Sequence, residues 1–232
     1  MRYILNAFII GSIIVSAGCS SSDKKPSPLD PYWNDKGNTI AYKKFTTPKK
    51  WAAGQFVVAG QLDKGKKEGV SKTTIVRKEK TAWVFEVINI DKKGKTTGMQ
   101  MCIEGMDLIK SKNDIDKLNI LWIKVLDDKG EVQLIDGSMM NFFKTIYKSQ
   151  LEQFAVSDYT FAEGGPVTVP AGTFKGTTVV KGGASSSMLK KTYTSFFHPD
   201  VPVNGMVKAE DEKGNVIMEL LDFGSNGKAV IE

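Results

Sequence analysis

The sequence predicts an α+β fold: an antiparallel β-sheet with one packed amphipathic helix. Three observations lead there. Short β-branched and aromatic runs recur through the 232-residue chain. Several of them are joined by turns of one chemical type, short enough to force a hairpin. One longer stretch changes its apolar period from two to that of a helix.

The runs are QFVVAGQL (55–62), SKTTIVRK (71–78), AWVFEVINI (82–90), TGMQMCIE (97–104), ILWIKVL (120–126) and EVQLI (131–135). After the helical stretch come TVPAGTFKGTTVVKG (168–182), LKKTYTSFF (189–197), NGMVKAE (204–210) and NVIMELLDFG (215–224). The joints read LDKG (62–65), IDKKG (90–94), LDDKG (126–130) and EDEKG (210–214). In each, the Asp side chain can bond downstream backbone N–H groups and the Gly can take a positive φ. Runs joined in this way form an antiparallel meander. Within TGMQMCIE, alternation sets Met99, Met101 and Ile103 on one face and Gln100, Cys102 and Glu104 on the other. Cys102 is then either a buried filler or a half-exposed thiol, and unpaired cysteine favours the buried state.

The helical stretch is Ser138–Ala155. Its Met139, Phe142, Phe143, Ile146, Tyr147, Leu151 and Phe154 share one helical face, and Ser138 can cap the first turn. Burial of this stripe on the sheet is the expected outcome. Residues 106–118 are a further short helix or an irregular loop.

The N-terminus carries an address. Arg2 precedes an apolar run from Tyr3 to Val15, too short to cross a bilayer and of the length of a secretory h-region. Ser16-Ala17-Gly18 then leads into Cys19. This resembles the lipobox of bacterial lipoproteins, in the relaxed form found in spirochaetes, with Ser16 where Leu is usual. The resemblance implies a signal peptide over residues 1–18 and lipidation of Cys19. Ordinary signal cleavage, which also needs small residues, is the competing reading. Ser20 to Pro28 is polar, and residues 19–50 as a whole are poor in apolar side chains, so a lipidated N-terminus and flexible tether is expected there, with a single domain over 51–232. Tyr32, Trp33 and Tyr42 interrupt that tether and are candidates for docking on the domain. The implied address is a bacterial membrane, the outer one, on either its periplasmic or its outside face.

Composition narrows the function. Lysine supplies almost all the basic charge, since Arg2 and Arg77 are the only arginines. Nucleic-acid readers depend on arginine for bidentate contacts, so nucleic acid is not an expected partner. The expected partners are a lipid bilayer, through acylated Cys19, and a protein or polyanion. His198 is the only histidine, and His198-Pro199-Asp200 offers two ligands where a transition-metal site needs three or four. Asn113, Asp114 and Asp116 lack the glycine and distal glutamate of a calcium loop. GQLDKGK (60–66) imitates a phosphate loop but joins two strands and is followed by Lys67. No G-x-S-x-G elbow occurs. No cofactor, metal or catalytic residue is therefore assigned, and the chain is not expected to be an enzyme.

The residues VPAGTF, FFHPDVPVNGMVKAE and ELLDFG resemble the end of the TapB-like group of exported bacterial proteins, itself similar to the LolA/LolB lipoprotein carriers. That resemblance implies that the antiparallel sheet is curved and half-barrel-like, with helix cover and in some members an apolar cavity. Two functions follow: an envelope or surface lipoprotein that binds a macromolecule, or a carrier or sensor of a lipid or other apolar ligand. For the second, Trp83, Trp122, Phe142 and Phe143 are the candidate lining.

Overall fold

Strand-forming runs and hairpin turns determine nearly everything in the computed structural model, which describes residues 26–45, 50–108, 117–135, 140, 160–186 and 189–232. Among these the strands are β1 (Thr39–Ile40), β2 (Phe56–Asp63), β3 (Lys66–Glu79), β4 (Ala82–Asp91), β5 (Thr96–Glu104), β6 (Asn119–Leu126) and β7 (Val132–Ile135). They continue with β8 (Thr160–Gly164), β9 (Val167–Val169), β10 (Gly172–Phe174), β11 (Thr177–Ser186), β12 (Leu189–Phe197), β13 (Met206–Glu210) and β14 (Val216–Gly224). Eleven of them build one sheet in the order β7-β6-β5-β4-β3-β2-β14-β13-β12-β11-β8. Every neighbouring pair in it is antiparallel. A smaller sheet, β1-β10-β9, pairs β1 in parallel with β10.

The main sheet has two apolar faces. On the first, Val57, Ile75, Trp83, Phe85, Val87, Met99, Met101, Ile103, Ile123 and Leu220 form one buried cluster. The small sheet contributes Val167, Val169, Ala171 and Phe174 to that cluster, and the Ala171 N–H donates to Leu220 O at 3.1 Å. The second face carries two smaller clusters, one around Leu29, Val58, Val70 and Leu221 and one around Ala82, Val84 and Cys102. Residues Ala82 to Ile88 are all buried, because β4 is covered on both sides. This explains why AWVFEVI reads as a nearly continuous apolar run rather than an alternation. Bulges interrupt the register at Ile75/Arg77, Cys102/Ile103 and Leu220/Asp222, where a strand bends and its twist increases.

The expected α+β class is corrected. The described residues form a β structure whose other regular elements are two three-residue 3-10 turns, Asp30–Tyr32 and Met106–Leu108. Among the described residues, the small sheet covers the first face and two chain segments cover the second. The stretch expected to be a helix, 138–155, lies outside the described residues apart from Met140, which packs on the main cluster.

The expected tether is corrected over residues 26–45. Leu29 and Phe45 have 0 % and 2 % of their surface exposed, and Ile40 lies in a strand. Composition misled here: a segment poor in apolar residues docks through a few large ones, each placed against a glycine. A Cβ at Gly60 would overlap the ring of Trp33, one at Gly176 the ring of Tyr42, and one at Gly205 the ring of Phe45.

Candidate functional site

The four D/K/G joints form hairpin turns at a single end of the sheet. In a meander alternate turns share an end, so those after β2, β4 and β6 lie together. The turn before β14 joins them, since β14 is antiparallel to β2. Three are built alike. Asp91 Oδ1 accepts from the N–H groups of Lys93 and Lys95 at 2.8 and 2.9 Å. Asp127 Oδ1 does the same for Lys129 and Glu131, both at 2.9 Å, and Asp211 for Lys213 and Asn215 at 2.9 and 2.8 Å. Gly94, Gly130 and Gly214 close them at φ of 80°, 86° and 79°. The fourth, Lys64-Gly65, is a two-residue turn with φ of 49° and 77°, so its Asp63 lies in the strand and pairs with Lys66. The phosphate-loop imitation at 60–66 is therefore a strand and a hairpin, as its context predicts.

These turns hold charge at fixed positions. Lys67 reaches Asp30 at 2.7 Å, Lys92 reaches Glu68 at 2.7 Å and Lys95 reaches Asp128 at 2.6 Å. The Lys67 hydrogen bond holds the Asp30 carboxyl below the usual range, and Lys95 does the same for Asp128. The Asn215 side chain is the main cause of the same depression at Asp211.

The docked segment 26–45 begins at this end on the second face, through Leu29 and Trp33, and passes to the small sheet of the first face, where β1 pairs with β10 and Ile40 packs on the main cluster. Pro28 lies against Gly94. Trp33 packs on Gly60 and Leu221 and donates its indole N–H to Glu219. Lys36 pairs with Asp222 at 3.6 Å. At the far end Lys43 grips both oxygens of Asp200 at 2.8 Å, and Ala41 O accepts from the His198 ring at 2.9 Å. Residues 225–232 cover the remainder of that face. Glu86, 1 % exposed, accepts the Val230 N–H at 2.9 Å and the Ile231 N–H at 2.7 Å. Gln100 donates to Ile231 O at 2.7 Å, and the Ile231 side chain sits over Gly98.

The residues expected to line a cavity are not gathered into one. Trp83 is 7 % exposed in the first-face core, edge-on to Trp51 with ring centroids 6.2 Å apart. Trp122 lies on the opposite face beside Cys102. Cross-strand register explains the separation: Trp83 pairs with Ile103 and Trp122 with Cys102, and consecutive residues of β5 point to opposite faces. Phe142, Phe143 and Cys19 lie outside the described residues, as do Asn113, Asp114 and Asp116.

The reactive side chains are occupied. His198 is fully buried; its Nε2–H donates to Ala41 O and its Nδ1 accepts the Asp200 N–H at 3.2 Å. Burial lowers its pKa below the usual value. Cys102 has no exposed surface, and burial, with Glu79 adding, pushes its thiol up to about 11. Alternation had placed Cys102 correctly on the face opposite Met99 and Met101. No group of three or more His, Cys, Asp or Glu side chains able to hold a metal occurs among the described residues. No helix among them is long and apolar enough to cross a membrane.

No protein-family model and no curated protein matches the chain. Two solved structures are similar to it in outline. One is described as a "putative exported protein with YmcC-like fold" from Bacteroides fragilis, with 12% identity and a TM-score of 0.37 over 78% of this chain and 99% of that one. The other is MucB, with 12% identity and a TM-score of 0.37 over 76% of this chain and 55% of that one.

Proposed function

We infer that the chain is a lipid-anchored protein of a bacterial envelope whose β domain binds a macromolecular partner and performs no catalysis. The observation that carries this reading is the N-terminal sequence: a basic residue, a short apolar run, small residues and then Cys19. Several features support the rest. The histidine and the internal thiol are both used up in packing. With the faces of the sheet covered, the exposed charged turns are suited to contact with a large partner rather than to enclosing a small one. Two or more acyl chains on Cys19 would hold the protein stably, which one chain does not.

The test is expression of the whole chain in a bacterium. The wild type is expected to incorporate labelled palmitate and to partition into detergent, and Cys19→Ser is expected to do neither. Detergent partitioning that survives the substitution would sink the anchor. Lysine-directed crosslinking in the same cells should trap a discrete protein adduct with the anchored chain; a smear without bands would count against a specific partner.

A further inference from the structure

We propose that the end of the main sheet bearing the β2–β3 and β4–β5 turns docks on the surface of an anionic lipid bilayer. The proposal rests on Cys19 being the anchored residue, and two independent features of the domain carry it further.

The first is reach. With residues 19–50 free, an anchor at Cys19 would leave the domain anywhere within about 110 Å of the bilayer. The docked segment removes most of that freedom. From Cys19 to Pro26 the chain spans at most ~25 Å whatever its conformation. The point of entry is fixed by Pro28 against Gly94, Leu29 buried among Val58, Val70 and Leu221, and Asp30 on Lys67. That point lies beside the β2–β3 and β4–β5 turns. An anchored chain must therefore present this end, and not the end bearing Lys80 and His198, to the membrane.

The second is charge. Of the six lysines in the two turns, Lys67, Lys92 and Lys95 have carboxylate partners. Lys64, Lys66 and Lys93 are exposed and form no ion pair among the described residues. The central turns also hold Asp63, Glu68 and Asp91 and stay net basic, whereas the flanking turns are net acidic: Asp127, Asp128 and Glu131 outnumber Lys129 on the β6 side, and Asp211 and Glu212 outnumber Lys213 on the β13 side. A basic centre between acidic flanks lets an anionic surface attract the middle of the end and repel its sides, which fixes the tilt of the domain as well as its polarity. Attraction of this kind acts over about 8 Å at physiological salt, so it needs the short reach to operate.

The experiment is acetylation footprinting of the purified full chain. N-terminal mass spectrometry first decides whether Cys19 carries acyl chains. If it does not, the anchoring reading fails by itself, and the Cys19 thiol is coupled to a maleimide phospholipid so that docking is still tested. Cys102, buried, does not compete for that reagent. The anchored protein is placed in vesicles of phosphatidylcholine with phosphatidylglycerol, in vesicles of phosphatidylcholine alone, and in detergent. On the anionic vesicles, acetylation of Lys64, Lys66 and Lys93 should fall roughly fivefold against detergent while Lys80 is unchanged. That protection should be weaker on phosphatidylcholine and should vanish at about 1 M salt, where screening shortens to ~3 Å. Equal labelling of both ends, or protection indifferent to vesicle charge and salt, would overturn the proposal.

Discussion

His198 shows how a single buried side chain makes this fold sensitive to pH. Its ring is held between Ala41 O, which accepts from Nε2–H, and the Asp200 N–H, which donates to Nδ1. Protonation of Nδ1 would remove that acceptor and place a charge where no water reaches. Burial is the dominant cause of its lowered pKa; Ala41 O and the Asp200 carboxylate oppose it, and the Lys43 cation adds to it. The unfolded chain therefore takes up the proton first, near pH 6.5. Stability is fully present above that value and falls as pH drops from it toward the folded-state pKa, by about 1.4 kcal/mol for each unit between the two. Urea midpoints measured between pH 7.5 and 5 should show this step, above the range where exposed carboxylates titrate, and His198→Gln should flatten it. A step that persists in the variant would assign it to another group. Sequence reasoning recognised that a lone histidine could not complete a metal site. It could not see one ring nitrogen taken by backbone 157 residues away and the other by the Asp200 N–H two residues on. The same limit separated Trp83 from Trp122: both are aromatic residues in strands, and only the register across β5 shows that they face opposite ways.

At the level of elements, the strands whose apolar period and turn chemistry agree were legible: β2 and β4 to β7 fall within one residue of their expected runs, while β3 begins five residues before its own. The single run expected over 168–182 is instead divided among β9, β10 and β11, two of them in the small sheet, and β1 and β8, of 2 and 5 residues, lie outside every expected run. The segment 26–45 was misread because composition averages over it, whereas its docking depends on single contacts. Trp33 carried the signal and, with Tyr42, is one of the aromatics expected to dock that do so; the glycine inside β2, with no turn to make, is its counterpart. Gly60 supplies the seat, and a side chain there must displace the indole ring. Gly60→Leu should therefore release the segment at a cost of about 1–3 kcal/mol while leaving the main sheet folded. Limited trypsin digestion checks it: Lys36 and Lys43 should resist cleavage in the wild type and be cut in the variant, with an unchanged β-sheet circular dichroism spectrum. Resistance at both sites in a folded Gly60→Leu protein would show that Trp33 does not hold the segment down.

Across the whole molecule, the two extremes of the described chain meet on one face. The docked N-terminal segment lies over β2 and β14, and residues 230–231 are tied to the middle of β4 and β5 by Glu86 and Gln100. Loss of the Glu86 carboxylate strands the Val230 and Ile231 N–H groups, while Gln100 keeps its bond to Ile231 O. Glu86→Ala should cost about 2–4 kcal/mol by urea unfolding. Hydrogen exchange at Val230 and Ile231 should accelerate in that variant before the rest of the sheet loosens; slow exchange at both amides would show the tail to be held by Ile231 packing alone. The pairing of β2 with β14 has a further consequence, for the order of events during synthesis. The first long strand cannot acquire its second neighbour until the ribosome has made the last one, and the intervening hairpins must wait with an open edge between them. Contacts this distant in sequence make for slow folding. A nascent chain of this design stays incomplete, with β2 unpaired along one side, until β14 has been made.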